Sequence, residues 1–337
     1  MRTDKRYMKL CLELAVKGFG KVAPNPMVGS IVVYNKKIIG KGYHKRYGDW
    51  HAEMNAINSV KDKRLLPKSI LYVTLEPCNH YGKTPPCTSL IIRSGIPDVV
   101  VGSIDPHAIV SGKGVEALRK AGCKVTVGIL DKENRELNKR FFTFHEKQRP
   151  YIILKWAQTK DGFIDKKRAS AKVQRAKITN FSTNKIVHTW RSEEQAIMVG
   201  TNTALLDDPK LTLRLVKGKS PVRVVLDKEL RIPRGYHLLD KAAPTIVFAA
   251  KARRSGHNLD YVTIDFTNNV LTQVLNELYK RTIQSMIVEG GAELLNSFLK
   301  AGLWDEARVI VSSKRLGDGV LAPKFSRKPY KKSVIKG

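Results

Sequence analysis

The sequence predicts an α/β protein built as two successive domains. Three observations carry that expectation. Short β-branched runs alternate with amphipathic helical stretches in both halves. The alternation breaks once, at Glu146-Lys147-Gln148-Arg149-Pro150, in a charged linker that ends in proline. At 337 residues the chain has room for two domains of ordinary size. The expected units are residues 1–146 and 147–337, with no internal repeat between them.

In the first half, Met8, Leu12, Ala15 and Phe19 recur at helical spacing, which predicts a helix over Tyr7–Phe19. The rigid loop Ala23-Pro24-Asn25-Pro26-Met27-Val28-Gly29 leads into a strand over Ser30–Tyr34. Asn35-Lys36-Lys37 turns the chain into a second strand, Ile38–Tyr43, ending at His44. Asp49 offers an N-cap to a helix over His51–Val60, which places His51 and Glu53 in its first turn. The run Ile-Leu-Tyr-Val-Thr-Leu predicts a buried strand over Ser69–Leu75. A helix over Thr88–Ser94 follows, then a strand (Val99–Ser103), a helix (Lys113–Ala121), a strand (Lys124–Gly128) and one helix over Asp131–Phe144.

The second half opens with the β run Tyr151–Ala157. After a loop over Asp161–Ala176 come a helix (Thr183–Arg191) and short strands of parallel type at Ala196–Gly200, Val222–Leu226, Thr245–Ala249 and Ser285–Val288. A helix over Val270–Tyr279 precedes the last of these. Glu289-Gly290-Gly291 opens a helix over Ala292–Ala301, and Glu306–Val311 is a further strand.

The chemistry concentrates between His51 and Cys87. A histidine, two cysteines and a carboxylate that is not a ligand are the parts of a zinc deaminase. Three protein ligands leave the fourth zinc position for water, whose pKa the metal lowers. On this reading His51, Cys78 and Cys87 bind Zn²⁺ and Glu53 is the general acid/base. Eight residues separate the cysteines where C-x-x-C is usual, and Gly82, Pro85 and Pro86 are turn formers suited to closing the longer loop. In the second half, Gly290-Gly291 between strand and helix lets a phosphate approach a helix N-terminus, or is simply a glycine turn. Lys155, Arg191 and Arg214 are candidates for a second phosphate.

Composition narrows the classes. The chain is 42% hydrophobic, enough for a proper core, and no apolar run approaches the ~20 residues of a membrane span. Met1-Arg2-Thr3-Asp4-Lys5 runs into a helix without a signal-peptide block, and four cysteines, two assigned to metal, indicate a reducing cytoplasm. The net charge is +31, yet residues 1–150 hold 27 basic against 13 acidic side chains and the rest 34 against 17. Charge spread so evenly reads as a genome-wide lysine bias or a general preference for phosphorylated ligands, and gives no dedicated nucleic-acid arm. Locally dense Lys324–Lys336 reads as a solvated tail.

Pro24-Asn25-Pro26-Met27-Val28-Gly29, His51-Ala52-Glu53 and Glu76-Pro77-Cys78-Asn79-His80-Tyr81-Gly82-Lys83-Thr84-Pro85-Pro86-Cys87 together resemble the bifunctional riboflavin biosynthesis deaminase/reductase family, which shows the same long cysteine spacing. Lys155-Trp156-Ala157-Gln158-Thr159-Lys160-Asp161-Gly162, Asp207-Asp208-Pro209-Lys210-Leu211-Thr212-Leu213-Arg214 and Val288-Glu289-Gly290-Gly291 extend the resemblance over nearly the whole chain. It implies a cytidine-deaminase-like α/β/α sandwich followed by a dihydrofolate-reductase-like α/β domain. It also implies hydrolytic removal of the 2-amino group of 2,5-diamino-6-ribosylamino-4(3H)-pyrimidinone 5′-phosphate, then NADPH-dependent reduction of the ribosyl group to ribityl.

Carried over by position, Asn25 and His44 orient the pyrimidine, with His80 and Lys83 near the substrate. Thr203, Asp207 and the helix start Gly291, Ala292, Glu293, Leu294, Leu295, Asn296 and Ser297 fall at cofactor positions. Arg191, Leu211, Arg214 and Glu289 fall at substrate positions, and Lys155 is the reductase active-site lysine. The chain departs from the family at Arg175-Ala176-Lys177-Ile178-Thr179, where relatives have Ser-x-Trp-Ile-Ser/Thr, and at Lys336-Gly337, short of a closing strand, which predicts an unpaired sheet edge. A cytoplasmic homo-oligomer without membrane or nucleic-acid partners is expected. Competing readings are an RNA- or nucleoside-acting zinc deaminase and a deaminase carrying an inactive reductase-like domain.

Overall fold

A computed structural model describes residues 2–81, 85–325 and 328–335 and divides the chain into two compact units, Met1–Gln148 and Arg149–Gly337. The first contains, in order, α1 (Arg2–Ala15), β1 (Gly29–Tyr34), β2 (Lys37–Tyr43), α2 (Ala52–Asn58), β3 (Ile70–Leu75), α3 (Cys87–Arg93), β4 (Asp98–Ser103), α4 (Lys113–Lys120), β5 (Lys124–Val127), α5 (Asp131–Leu137) and α6 (Lys139–Lys147). Its sheet has the order β2-β1-β3-β4-β5, antiparallel about β1 and parallel from β3 to β5. One face packs Val32, Leu71, Val73, Val99 and Val101 against Ala56, Ile57, Ile91 and Leu118 from α2, α3 and α4. The other packs Ile31, Val33, Tyr72 and Val100 against Tyr7, Met8 and Cys11 of α1. Successive strand residues point to opposite faces, so apolar runs such as Ile31-Val32-Val33 supply both layers of an α/β/α sandwich.

Small residues let α2 lie close on the sheet. A Cβ on Gly42 would stand 2.4 Å from the backbone nitrogen of Ala56 and 2.6 Å from the carbonyl oxygen of Ala52. That approach fixes α2, and with it the helix entry at His51 and Glu53. Two details differ from the sequence expectation. His51 is extended (φ −69°, ψ 167°) and is the residue just before the helix, outside its first turn. The expected single helix over Asp131–Phe144 is broken at Asn138 (φ −105°, ψ 26°). The Asn138 side chain accepts from the Met27 N–H (2.8 Å) and donates to the Met27 carbonyl (2.9 Å), a tertiary pairing that outweighs one more helical turn.

The second unit contains β6 (Tyr151–Gln158), β7 (Phe163–Asp165), α7 (Phe181–Glu193), β8 (Ala196–Val199), α8 (Thr201–Asp207), β9 (Val222–Leu226), β10 (Thr245–Ala249), β11 (Leu259–Thr263), α9 (Val270–Lys280), β12 (Ser285–Val288), α10 (Ala292–Lys300), β13 (Glu306–Val311) and β14 (Val320–Leu321). Seven strands pair in parallel in the order β11-β10-β9-β8-β12-β6-β13, while β7 and β14 form a separate ribbon. The helices α9 and α10 cover one face through Val274, Leu275, Leu278, Leu294, Leu295 and Phe298. Trp190 of α7 and Ala204 and Leu205 of α8 pack on the other. The strands β7, β11 and β14 and the helix α8 were not expected; β11 is only half-buried and α8 starts directly after a strand. Among the described residues β13 is an edge, with Val311 61% exposed. No helix among the described residues is long and apolar enough to cross a membrane.

Because Gly42 faces backbone atoms that cannot swing aside, Gly42→Ala should destabilise the first unit by about 1–3 kcal/mol. Chemical denaturation should show the loss, whereas Gly122→Ala, whose Cβ meets nothing within 4 Å but has φ +87°, should cost only the backbone strain.

Candidate functional site

In the first unit, His51 stands just ahead of α2, Cys87 opens α3, and Cys78 follows the end of β3 by three residues. The chain brings them together because Glu76-Pro77 carries β3 out over the two helix starts. Glu76 is buried and accepts four backbone N–H groups, from Asp105 (3.2 Å), Gly112 (2.9 Å), Gly114 (2.8 Å) and Val115 (3.0 Å). A carboxylate so fully bonded locks the residues leading to Cys78 against the 105–115 loop and the start of α4.

The three ligand atoms lie within 4.8 Å of one another: Cys78 Sγ is 3.5 Å and Cys87 Sγ 3.4 Å from His51 Nδ1. Bond lengths of about 2.3 Å to sulfur and 2.0–2.1 Å to nitrogen set a tetrahedral S···N edge of roughly 3.6 Å, so these separations fit zinc. The donor set also behaves as one waiting for a cation. The hydrogen bond from Cys87 holds Cys78 down to about 4, with burial opposing and His51 assisting. The same bond and burial push Cys87 well above the thiol range. A metal would take both sulfurs as thiolates. His51 is raised, first by its hydrogen bond with Cys78.

Glu53, in the first turn of α2, is 3% exposed, and burial raises its carboxyl to about 7 against the pull of His51. Beside it His44 is buried, its ring edge-on to His51 at 5.4 Å. His44 Nδ1 is 3.1 Å from the Trp50 carbonyl and Nε2 is 3.1 Å from Asn25 Nδ2. Nδ1 therefore carries the proton and Nε2 accepts from the amide, which leaves Asn25 Oδ1 free to face a ligand. Burial lowers the His44 pKa, keeping the ring neutral. His80 is exposed, two residues beyond Cys78. Lys83 lies outside the described residues. Sequence reasoning missed Asp105, whose carboxyl burial lifts to about 7, with the charges of Glu76 and Cys78 adding to it. An acid at the end of a buried strand was the available signal.

In the second unit a cavity of about 1510 Å³ opens over the carboxyl ends of the parallel strands, where α/β sheets bind ligands. Glu289, after β12, is its electrostatic centre. It accepts from Lys155 Nζ (3.2 Å) and, bidentate, from Arg191 Nε (2.8 Å) and Nη2 (2.9 Å), with all three side chains nearly buried. Burial opposes its charge, but Lys155 and Arg191 win and hold it down to about 2. Leu211 and Arg214 line the same cavity, and the Arg214 N–H donates to His188 Nδ1 (3.2 Å).

The cofactor positions divide. Thr203, Asp207, Gly291, Ala292, Glu293, Leu294 and Ser297 line the cavity. Leu295 and Asn296 do not: Leu295 is fully buried in the core and its N–H already donates to the Gly291 carbonyl (3.2 Å). The Gly291 N–H is taken by Thr203 Oγ1 (2.9 Å), and Asp207 by Arg168 (2.5 Å), which also binds Asp165. Arg168 is a second residue the sequence did not reveal. The divergent residues Arg175, Ala176, Lys177, Ile178 and Thr179 all line the cavity.

Family models match both units: the cytidine and deoxycytidylate deaminase zinc-binding region over residues 1–103, and the RibD C-terminal domain over 150–330. Riboflavin biosynthesis protein RibD of Aquifex aeolicus is 45% identical over 322 residues, covering 94% of this chain and 89% of the relative. The Escherichia coli protein of that name is 33% identical over 331 residues, covering 93% and 89%. The structure of a diaminohydroxyphosphoribosylaminopyrimidine deaminase/5-amino-6-(5-phosphoribosylamino)uracil reductase from Thermotoga maritima is 39% identical, with a TM-score of 0.83 over 95% of this chain and 90% of that one. Acinetobacter baumannii RibD, form 2, superposes with a TM-score of 0.85 at 31% identity, covering 98% and 92%.

Two outcomes follow from this geometry. Cys78→Ala removes one of the three candidate ligands and should weaken zinc binding by more than about a hundredfold, measured by competition with a chromophoric chelator. Glu289, held at about 2 in the fold against an ordinary 4.5, stabilises the second unit above about pH 4.5. That stability should drain away as pH falls from about 4.5 towards 2, seen as a dropping melting temperature. Glu289→Gln should abolish that part of the slope and cost about 3–5 kcal/mol, because it strands Lys155 and Arg191.

Proposed function

The chain belongs to the RibD family of riboflavin biosynthesis proteins, bifunctional deaminase/reductases, and from that premise we propose which of its residues perform the two reactions and on what. The substrate of the first unit is the diaminopyrimidine ribosylamine 5′-phosphate, and the second unit reduces the deaminated product. The observation that carries this reading is the His51, Cys78, Cys87 cluster at 3.4–3.5 Å contact with a buried carboxyl beside it.

Zinc held by those three residues would supply Lewis acidity towards a water. Glu53, poised near neutrality by burial, can hold a proton and release it: it takes one from the attacking water and passes it to the ring nitrogen, then takes the second from the newly added hydroxyl and passes it to the amino group, which leaves as ammonia. Asn25 and neutral His44 orient the heterocycle by hydrogen bonds, and His80 and Lys83 are assigned to its sugar-phosphate side.

NADPH supplies hydride to the second reaction. The chain's task is to align the opened sugar and provide a proton. Glu289 remains a carboxylate, so it orients and does not donate. Lys155, hydrogen-bonded to it, is the group assigned to protonate the sugar oxygen, while Arg191, Arg214 and Leu211 seat the substrate. Thr203, Asp207 and the start of α10 from Gly291 to Leu294, with Ser297, are assigned to the cofactor. Domain roles divide at the linker, residues 1–146 deaminating and 147–337 reducing. A cytoplasmic homo-oligomer completes the reading; among the described residues the β13 edge offers two copies a surface to pair through.

Incubation with the diaminopyrimidine phosphate, followed by mass analysis, tests both halves. Without NADPH the product should gain about 1 Da, one amino group exchanged for oxygen. With NADPH it should gain about 2 Da more. Glu53→Gln should keep its zinc and lose deamination by at least about a hundredfold. Full activity in that variant removes the assigned role.

A further inference from the structure

Arg223 has no task in either reaction, yet it is among the most completely enclosed side chains of the molecule. It sits on β9 at 0% exposure. Its Nε donates to Thr245 Oγ1 (2.8 Å), and Nη1 to the carbonyls of His237 (2.5 Å) and Lys210 (3.5 Å). Nη2 donates to Asp240 Oδ1 (3.0 Å) and to the Ala243 carbonyl (2.9 Å). A strand core gains nothing from a buried guanidinium that a valine would not give, and desolvating the charge is costly. Its use lies in the groups it joins.

Two of those groups lead to the cavity. Lys210 lines it directly. His237 reaches Asp208, its N–H to Oδ1 at 2.7 Å and its Nδ1 to Oδ2 at 2.8 Å. The segment so gripped is unusual in its backbone. Asp208 (φ +39°) and Leu211 (φ +54°) both occupy the left-handed region without being glycine. Such a conformation persists only where its surroundings over-determine it. Arg223 does not line the cavity itself. It holds from below a loop whose upper side presents Asp207, Leu211 and Arg214.

We propose that Arg223 is a positioning residue of the reductase: its forked guanidinium clamps residues 208–211 into the shape that receives cofactor and substrate. The proposal rests on the reductase reading above. Only a planar fork reaches five acceptors at once; a lysine ammonium keeps the charge but has three donors on a single atom.

Arg223→Lys is therefore the discriminating variant, compared with the unaltered full-length protein. NADPH affinity is read by fluorescence titration, KM and kcat for the deaminated pyrimidine phosphate by NADPH oxidation, and folding by melting temperature. The dissociation constant for NADPH and the substrate KM should each rise about tenfold or more, with a smaller change in kcat and an unchanged deamination rate. Asp240→Asn, which leaves the other acceptors in place, should move both constants the same way by less. A lowered melting temperature with both constants unchanged makes Arg223 merely structural and overturns the proposal. Should Arg223→Lys fail to fold, Asp208→Ala cuts the His237 link at the loop itself: raised constants at an unchanged melting temperature sustain the clamp, and unchanged constants refute it. Tight NADPH binding without turnover by the unaltered protein counts against the reductase reading alone, since the titration still judges the clamp. No NADPH binding at all overturns both.

Discussion

A charge taken out of water at the end of a strand has to be met in full, and this requirement organises both units. Three such groups recur. Glu76 meets four backbone N–H groups, Glu289 meets an ammonium and a guanidinium, and Arg223 meets acceptors from five residues. An unmatched member of any set would cost several kcal/mol. Each therefore fixes its partners as firmly as they fix it. The partners are loops and strand ends, segments that apolar packing alone leaves loose. The segment leading to Cys78, the cavity floor at Glu289 and the 208–211 loop hang from these anchors.

The two carboxylates show how environment divides one chemistry into separate roles. Glu289 and Glu53 are both enclosed, yet one is held at about 2 and the other raised to about 7. Burial raises both. Glu289 has two cations in contact, and their charges reverse the effect. Glu53 has no cation of that strength: the His51 imidazole and two hydrogen bonds pull it down less than burial raises it, and the sulfur of Cys78 adds to the rise. A permanently ionised acid can orient; an acid near neutrality can transfer protons.

What could be read beforehand follows the same division. Strands such as β3 and β6 announce themselves because near-continuous apolar runs bury both faces of a sheet. The His51, Glu53, Cys78, Cys87 set was legible because zinc chemistry permits few residue types. Partners chosen by tertiary contact were not. Nothing local says that Asn138 should leave its helix to bind Met27, 111 residues away. Nor does local sequence place Arg168 against Asp207, or turn Leu295 towards the core and away from phosphate. Leu295 is a limit of assignment by position: in a helix only some residues of a consecutive run can face one ligand. Arg223 had a signal that went unused, an arginine inside Val222-Arg223-Val224-Val225-Leu226, where a buried charge demands a reason.

The charge of the chain is the harder quantity to interpret. Ten lysines and arginines line the second cavity against five aspartates and glutamates, the same two-to-one ratio as the 61 and 30 of the whole sequence. The ratio alone therefore says nothing special about the cavity. Pairing does. Asp165, Asp207, Asp208 and Glu289 are each engaged by Arg168, His237, or Lys155 with Arg191. With four of its five carboxylates so occupied, the cavity presents Arg175, Lys177, Arg214, Lys228 and Arg231 among its lining cations. These internal pairings keep the protein's own acids from competing for the same cations, which suits the cavity to anionic ligands. Arg175 and Lys177 fit this electrostatic logic, adding two cations to the lining of the cavity.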